Sequence, residues 1–211
     1  MSVSSSGKIE KIIRFLKEKY GTLEWWRGTT DEVMIGAILT QQTRWENVER
    51  SLENLRQQGL CSIAAINNAE CHNIEKAIMC TGFYRIKAQR LKSLSSHVTG
   101  EYGSIECMAQ QPADRLRENL MGVHGIGEET ADSILCYGFS HQTFVIDAYT
   151  ERICRCAGIA AKRPALKKLF ETVLPRDTAV YQQAHAHIVE YAKEYCVKKR
   201  CNECTIPTLN G

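Results

Sequence analysis

Apolar residues recur at helical spacing along nearly the whole chain of 211 residues. In the first such pattern, Ile9, Ile12 and Leu16 share one face, and Gly21 is placed to end the helix. The same spacing predicts further helices over residues 30–42, 44–57, 61–68, 70–80, 84–99, 112–121, 128–138, 147–157, 164–173 and 177–195. No stretch alternates apolar and polar residues as a half-buried strand does. The sequence therefore predicts an all-α fold.

Two local patterns refine this prediction. Thr29 or Thr30 can cap the helix over 30–42, and Glu32 is well placed in its first turn. The apolar run 144–146 is short, so a buried loop is favoured over a strand there. The chain has only four prolines and no linker-like stretch, so no domain boundary is visible as a gap.

Composition and charge limit the class of protein. Hydrophobic residues make up 44% of the chain and charged residues 24%, which are ordinary values for a globular protein. The net charge of +3 is compatible with nucleic acid binding but too small to establish it. No apolar run has membrane-spanning length, and the N-terminal residues lack the pattern of a signal peptide. We therefore expect a cytoplasmic protein, associated with the nucleoid if the source is prokaryotic, with no membrane partner.

Three glycines crowd the turn between two predicted helices. Gly122, Gly125 and Gly127 permit positive φ angles and a close approach by another backbone. The next helix begins near Glu128 with unpaired N–H groups, which can hold a phosphate. A plain turn between helices would have the same geometry. His124 is a further candidate phosphate contact, although a single loop histidine is more often simply solvated.

A single carboxylate, Asp147, follows the turn. Its position before Ala-Tyr-Thr suits a helix N-cap, where backbone amides would keep the carboxylate ionised. A fixed carboxylate can also stabilise positive charge that develops on a sugar. Basic residues on the predicted helices are candidate phosphate contacts or merely exposed, and these are Arg44, Arg85, Lys87, Arg90 and Lys92.

Together these motifs resemble a known family. The stretches Leu39-Thr-Gln-Gln-Thr43, Thr81–Ala88, Gly125–Ala131 and Phe144–Asp147 are similar to motifs of the helix-hairpin-helix DNA glycosylase superfamily of base-excision repair, the group that contains endonuclease III. Within it, the chain most resembles the 3-methyladenine DNA glycosylase branch of endonuclease III type. Glu24-Trp25-Trp26, Trp45 and the residues after the glycine turn carry that second resemblance.

The resemblance implies a fold and a partner. The fold would have two helical lobes, with the active site in the cleft between them. The lobes would comprise residues 25–137 and residues 1–24 plus 138–211. The partner would be double-stranded DNA that contains a damaged base, and the protein would act as a monomer.

The resemblance also implies roles for individual residues. Asp147 would be catalytic, and Gln42 would fill the gap that a flipped base leaves in the duplex. Gln41 would face the base pocket, although either glutamine would also fit an ordinary exposed helix end. The remaining contacts with DNA would come from Gly122, His124, Gly125, Gly127 and Thr130.

One position departs from endonuclease III. Bifunctional members of the family carry a lysine before the Thr-Ala of the hairpin, where this chain has Glu129. A carboxylate cannot form the Schiff base that a lysine forms. We therefore expect a monofunctional enzyme that removes the base and leaves the backbone intact, with Glu129 near the base pocket.

All three tryptophans lie in the first 45 residues. A purine alkylated at N3 or N7 is cationic, and aromatic faces attract it by stacking and cation–π contact. Trp25, Trp26 and Trp45 are therefore candidates for the base pocket, with core packing as the alternative. Core packing is harder for the pair, since adjacent helical residues point in different directions.

Most of the ten cysteines are scattered, but Cys196, Cys201 and Cys204 are clustered. Endonuclease III-type enzymes often end in four cysteines that hold a [4Fe–4S] cluster, and these three fall near the expected place. Asn210 stands near the position of the fourth. A cluster with another fourth ligand is favoured slightly, while zinc and no metal remain open.

Several functions are therefore open. The leading prediction is a monofunctional DNA glycosylase for alkylated purines. A glycosylase for deaminated or mismatched bases, such as uracil or thymine, would share the same motifs. A non-catalytic helix-hairpin-helix DNA-binding module would not need Asp147.

Overall fold

The structure, a computed structural model, describes residues 4–209. These residues form helices joined by turns, with no strand among them, which confirms the predicted all-α fold. The helices are α1 Ser5–Tyr20, α2 Thr30–Leu39, α3 Trp45–Gln57, α4 Ile63–Asn68, α5 Cys71–Ile78, α6 Tyr84–Tyr102, α7 Ile105–Ala109, α8 Ala113–Gly122, α9 Glu128–Ser133, α10 Ala148–Cys156, α11 Arg163–Val173 and α12 Thr178–Ala192. Short helical turns occur at Met79–Thr81, Ile134–Gly138, Lys193–Val197, Cys201–Glu203 and Ile206–Thr208.

The chain forms two compact units. The central unit is Trp26–His141 and contains α2 to α9. The terminal unit combines the described residues up to Trp25 with those from Gln142 onward, and it contains α1 and α10 to α12. Among residues 4–209, no helix combines the length and the apolar character needed to cross a membrane.

Helix α2 is the centre of the core in the central unit. Every residue from Val33 to Leu39 is buried, as expected for a helix that is apolar on all sides. Thr29 caps its N-terminus: the Thr29 hydroxyl accepts from the Glu32 N–H, and the Glu32 carboxylate accepts from the Thr29 N–H. This confirms Thr29 as the cap. Helices α3, α4, α6 and α9 pack around α2.

The C-terminal end of α2 is held by a buried ammonium group. Lys87, on α6, is only 2% exposed. Its Nζ donates to the carbonyl oxygens of Leu39 at 2.8 Å and Thr81 at 3.0 Å. The last carbonyls of a helix lack donors within the helix, and Lys87 provides the donor for the Leu39 carbonyl of α2. Burial first, and then the neighbouring Arg90, lower the pKa of Lys87 to about 8.

Two of the predicted phosphate contacts are therefore wrong. The ammonium of Lys87 is buried, so it cannot reach a phosphate in solution. The ammonium of Lys92 donates to the carbonyls of Ile66, Asn67 and Ala69. It thereby caps the C-terminal end of α4, as Lys87 caps that of α2.

In the terminal unit, α1 packs against α11 and α12, and α10 packs against α12. The segment 144–146 is buried and non-helical, as predicted, and it leads directly to Asp147. Phe144 anchors this segment, because its ring stacks on Phe170 at 4.3 Å and its N–H donates to Glu171 Oε1 at 2.9 Å. The backbone before Asp147 is thus held against α11 by a ring contact and a hydrogen bond.

Helix ends differ from the predictions by a few residues. Helix α7 has no counterpart in the predictions, because its five residues are too few to show a helical period. The predicted helix over 61–68 begins at Ile63, since the Ser62 hydroxyl accepts from the Ala65 N–H and so caps the helix there. The predicted helix over 177–195 ends as α12 at Ala192 and continues as the turn Lys193–Val197.

The buried Lys87 gives the central unit a measurable pH dependence. Its pKa of about 8 in the folded chain lies below the ordinary value of 10.5. The unfolded chain therefore binds more protons between these values, and stability must rise with pH across this window. We expect the free energy of unfolding of the wild type to rise by about 1–2 kcal/mol relative to Lys87→Met between pH 7 and pH 10.

Urea denaturation at both pH values measures this difference. Lys76→Met is the matched control, since Lys76 is an exposed lysine of the same unit. If the free energy of unfolding changed equally with pH in the wild type and in Lys87→Met, the lowered pKa of Lys87 would be contradicted.

Candidate active site

Asp147 is the N-cap of α10. Its Oδ1 accepts from both the N–H and the hydroxyl of Thr150, each at 2.7 Å. Its Oδ2 lies 3.6 Å from His185 Nε2, on α12. The side chain is therefore held at both oxygens, and the residue as a whole is only 9% exposed.

These partners keep the carboxylate ionised. Burial by itself acts to raise the pKa of Asp147. His185, whose Nε2 lies 3.6 Å from the carboxylate, and Thr150, through its amide and hydroxyl, act in the opposite direction and prevail, so the pKa lies below its ordinary value. A buried carboxylate that stays negative at neutral pH can stabilise a developing cation or orient a water molecule.

The predicted glycine turn lies between α8 and α9 in the central unit. Gly125 has φ +88, and a Cβ there would collide with the side chain of Arg90, so only glycine fits. Gly127 is the N-cap of α9, which no side chain caps in the described part of the chain. Gly122 ends α8, and His124 is exposed between the helices. The geometry is that of a helix-hairpin-helix turn.

Gln41 joins this hairpin to the turn after α2. Its Nε2 donates to the Gly125 carbonyl at 3.1 Å and to the Thr130 hydroxyl at 3.2 Å, while its Oε1 accepts from Arg90. Thr130 is buried beneath the contact. The predicted roles of Gln41 in the base pocket and of Thr130 at DNA stay predictions, and the structure gives both residues a positioning role within the unit.

Gln42 has an unusual backbone conformation. Its φ is +55, in the left-handed region that non-glycine residues seldom adopt, and its side chain is exposed. Such conformations persist only where the surrounding structure imposes them, and they are frequent at functional sites. The anchored neighbour Gln41 is one source of that constraint.

Two of the three tryptophans lie together in the central unit. The ring of Trp26 lies edge-on to Trp45 at 5.4 Å and tilted against Tyr137 at 5.2 Å. The three half-buried rings form an aromatic cluster, and Trp26 also packs on Gly36, where a Cβ would come within 3.2 Å of its ring. Trp25 lies in the terminal unit, where the Lys193 ammonium stands 5.0 Å from its ring centroid.

Trp25 and Trp26 do not lie on a helix, since residues 21–29 are not helical. The prediction that helical geometry directs their side chains differently is therefore wrong, and Trp26 instead has a positive φ of +36. The placement of each tryptophan in a base pocket stays a prediction.

Three contributing residues were not predicted. Thr150 stands three residues after Asp147, a spacing at which a capping partner can be expected. Tyr137 belongs to the sequence string that carries the family resemblance. His185 has no local signal, since it is one of two buried histidines on α12 and only the packing of α10 on α12 brings it to Asp147.

The three clustered cysteines lie in the terminal unit. In the part of the chain that the structure describes, no three histidine, cysteine or carboxylate side chains converge closely enough to hold a single metal ion. These residues therefore do not fit a zinc site. Asn210, near the expected fourth cysteine, lies outside the described residues.

The pair of Asp147 and His185 can be tested through pH. His185→Gln removes a neighbour that lowers the pKa of Asp147, while burial still acts to raise it, so this pKa should rise. Because folding lowers the pKa of Asp147, its ionised carboxylate stabilises the fold at pH values above its ordinary pKa, and this stabilisation is lost as the pH falls. His185→Gln should weaken it, so the variant should unfold in acid at a higher pH than the wild type.

Carbon-13 NMR of labelled aspartate measures this pKa, with the resonance assigned by its absence in Asp147→Asn. His187→Gln is the matched control, because His187 lies on the same helix and its Nε2 is hydrogen-bonded to the Gly21 carbonyl instead. An unchanged Asp147 titration in His185→Gln would contradict the pairing.

Comparison with known proteins places the chain in a family. Residues 35–176 match the family described as HhH-GPD superfamily base excision DNA repair protein. A protein of Methanocaldococcus jannaschii with the provisional name DNA repair glycosylase is 42% identical over 205 residues, which cover 94% of this chain and 93% of the relative. Endonuclease III of Thermotoga maritima is 28% identical over 180 residues, covering 82% of this chain and 78% of the relative.

Solved structures are also similar to this chain over most of its length. The 3-methyladenine DNA glycosylase of H. pylori, bound to 1,N6-ethenoadenine, has a TM-score of 0.80 and 29% identity, covering 89% of this chain and 97% of its own. A non-covalent complex of endonuclease III with DNA has a TM-score of 0.81 at 18% identity, covering 99% and 96%, and indicates the shared fold. Since the family match extends over most of the chain, this protein belongs to the helix-hairpin-helix (HhH-GPD) superfamily of base-excision repair DNA glycosylases.

Proposed function

We propose that this chain is a monofunctional DNA glycosylase that removes alkylated purines, such as 3-methyladenine, from double-stranded DNA. The observation that carries the proposal is the half-buried aromatic cluster of Trp26, Trp45 and Tyr137. A base inside a duplex is out of reach, so such an enzyme must flip it into a pocket. Aromatic faces favour a cationic purine over a neutral base by roughly 0.5–2 kcal/mol through cation–π attraction.

A relative supports the choice of base. The H. pylori protein, 29% identical to this chain, is described as a 3-methyladenine DNA glycosylase and was solved with 1,N6-ethenoadenine bound. The proposal extends that preference to this chain. Trp25 is an additional candidate for base recognition, and Gln41 and Glu129 are assigned to the edge of the same pocket.

Asp147 is assigned the chemical step. Breaking the N-glycosidic bond leaves positive charge on the sugar, and an ionised carboxylate nearby stabilises it and can orient the attacking water. Thr150 and His185 favour the ionised form despite burial. No covalent intermediate with the protein is needed.

The proposal that the reaction stops after base removal rests on Glu129. This residue is exposed in the first turn of α9, at the position where bifunctional relatives carry the Schiff-base lysine. A carboxylate cannot attack the sugar to form an imine, so the DNA backbone would stay intact. The turn with Gly122, Gly125 and Gly127 would hold a phosphate through backbone N–H groups, with His124 beside it.

The proposed activity predicts a specific pattern of products. Duplexes that each carry one lesion, including 7-methylguanine, 1,N6-ethenoadenine, uracil and thymine opposite guanine, should be scored for strand breaks before and after hot alkali. We expect breaks only after alkali and only in duplexes with alkylated purines. Asp147→Asn should lower the excision rate by roughly 10²-fold or more while DNA affinity stays near the wild-type value.

Asp177→Asn is the matched control, since Asp177 is also an N-cap aspartate of the terminal unit but caps α12. Strand breaks without alkali would contradict monofunctional action. Excision of uracil or thymine alone would contradict the base preference. Excision from no duplex would favour a binding module.

Gln42 gives a second test, directed at DNA binding. Gln42→Gly keeps the backbone free to adopt φ +55 and removes only the side chain. We expect it to weaken binding to a duplex with an abasic-site analogue by roughly tenfold, about 1.4 kcal/mol, when measured by fluorescence anisotropy. Gln42→Asn tolerates the same backbone and keeps an amide, so it should retain part of the affinity. Wild-type affinity in Gln42→Gly would count against this role.

A further inference from the structure

Helix α9, the second helix of the hairpin, is acidic although the hairpin is proposed to hold a DNA phosphate. Its six residues include Glu128, Glu129 and Asp132 and no basic residue. Glutamates in the first turn stabilise the helix, but they also compete with a phosphate for the positive end of the helix dipole. Glu128 and Asp132 are one turn apart, so they share a face and repel each other. A hairpin of this composition needs a compensating positive charge.

Arg117, on α8, supplies that charge. Its Nε donates to Asp132 Oδ1 at 2.7 Å and its Nη2 donates to Asp132 Oδ2 at 3.3 Å, so the guanidinium and the carboxylate are joined by two hydrogen bonds. The same Nη2 lies 3.7 Å from Glu128 Oε1. One arginine is thus placed between two of the three carboxylates of α9.

The ion pair lies at the junction of two packed helices. Helices α8 and α9 are in contact, and Leu116, Leu120 and Ala131 belong to one buried core. Asp132 is only 3% exposed, and aspartate is almost never buried so deeply unless it is paired. The hydrogen bonds to Asp132 raise the pKa of Arg117 above its ordinary value, so the guanidinium stays charged although it is partly buried. The position of this positive charge is therefore fixed within the hairpin.

The charge of Arg117 matters beyond the packing of the two helices. Without it, the buried carboxylate of Asp132 would lose an opposing charge, and Glu128 would lose its positive neighbour. The hairpin would then be more negative beside the turn at which the phosphate is proposed to bind. Such a change acts strongly, since water and salt screen a buried charge poorly. A residue of the hairpin can therefore control DNA affinity without contacting the DNA.

We propose that Arg117 is a positioning residue for DNA binding, which neutralises the acidic face of α9 and thereby allows the hairpin to accept a phosphate. The glycine turn provides the space and the backbone N–H groups, and Arg117 offsets the negative charge that would repel the phosphate. Arg117 acts through Asp132 and Glu128, and its guanidinium donates to the protein rather than to the DNA. The inference rests on the proposed role of the hairpin in DNA binding, but not on which base is excised.

Fluorescence anisotropy of the full chain with a labelled, undamaged duplex measures this effect. Arg117→Gln should weaken binding by roughly tenfold, because it leaves one uncompensated negative charge in the hairpin. Asp132→Asn removes a negative charge and should bind about twofold to threefold more tightly than the wild type. The double variant Arg117→Gln/Asp132→Asn restores the charge balance and should return to within about threefold of the wild-type affinity.

The dependence of binding on salt separates positioning from direct contact. Loss of a direct phosphate contact would reduce the slope of the logarithm of the binding constant against the logarithm of salt concentration by about 0.9. This reduction would occur in Arg117→Gln and equally in the double variant. If Arg117 acts through Asp132 instead, the double variant should keep the slope of the wild type.

Arg56→Gln is the matched control. Arg56 also pairs with two carboxylates of the central unit, Glu32 and Glu53, but it lies on α3 and not on the hairpin. Its substitution lowers the net charge by one, as Arg117→Gln does, and should leave the affinity near the wild-type value. Urea denaturation gives the folded fraction of every variant, so that affinities are compared at equal concentrations of folded protein. A loss of stability alone would then leave the affinity unchanged.

Four results would overturn the proposal. These are wild-type affinity in Arg117→Gln, weaker binding by Asp132→Asn than by the wild type, equal losses in Arg117→Gln and the double variant, and the same loss in Arg56→Gln. The third would assign Arg117 a direct contact with DNA, and the fourth would make the effect one of net charge. If Arg117→Gln does not fold, Asp132→Asn and the double variant decide the question. A wild type that binds the duplex but excises no base would count against the proposed function alone.

Discussion

The carbonyl group at the buried C-terminal end of α2 must find a hydrogen-bond donor, and Lys87 provides one to Leu39 while it also donates to Thr81. Residues 33–39 of α2 are all buried, so the Leu39 carbonyl has to be satisfied inside the protein. An ammonium from α6 meets it inside the core, at the cost of a lowered pKa. The turn that follows can then leave the helix with Gln41 directed at the hairpin and Gln42 in the left-handed region. Both glutamines therefore lie directly after the residue whose carbonyl Lys87 holds.

In the terminal unit, one residue meets a structural and a chemical need. A helix N-cap requires an acceptor for the first N–H groups, and a catalytic carboxylate must stay ionised while buried. Asp147 satisfies both requirements, because the donors of Thr150 that it caps are also the donors that stabilise its charge. His185 supports the second oxygen from another helix. Structural and catalytic interpretations of this aspartate are therefore not alternatives, since the same hydrogen bonds serve both.

The fold could be predicted from the sequence wherever a local period or cap encodes it. Helices longer than two turns were found, as were the Gly21 stop and the Thr29 cap, because each depends on neighbours within a few residues. The basic residues of α6 show the limit: periodicity places them on a helix, but only the packing of other helices buries Lys87 and engages Lys92. The pairing of Asp147 with His185 has the same origin, since a contact between two helices leaves no pattern in either.

The cysteines show this limit most clearly. Cys196, Cys201 and Cys204 stand out because they are close together along the chain, and that spacing is what predicts a metal site. In the described residues, however, no three histidine, cysteine or carboxylate side chains converge on a single ion. The hydroxyl of Tyr191 on α12 instead donates to Cys204 and accepts from the Thr205 N–H, so the loop is held by contacts that the spacing does not reveal. Spacing along the chain therefore identifies the residues that one loop carries, whereas the contacts of their side chains depend on the helix against which the loop packs.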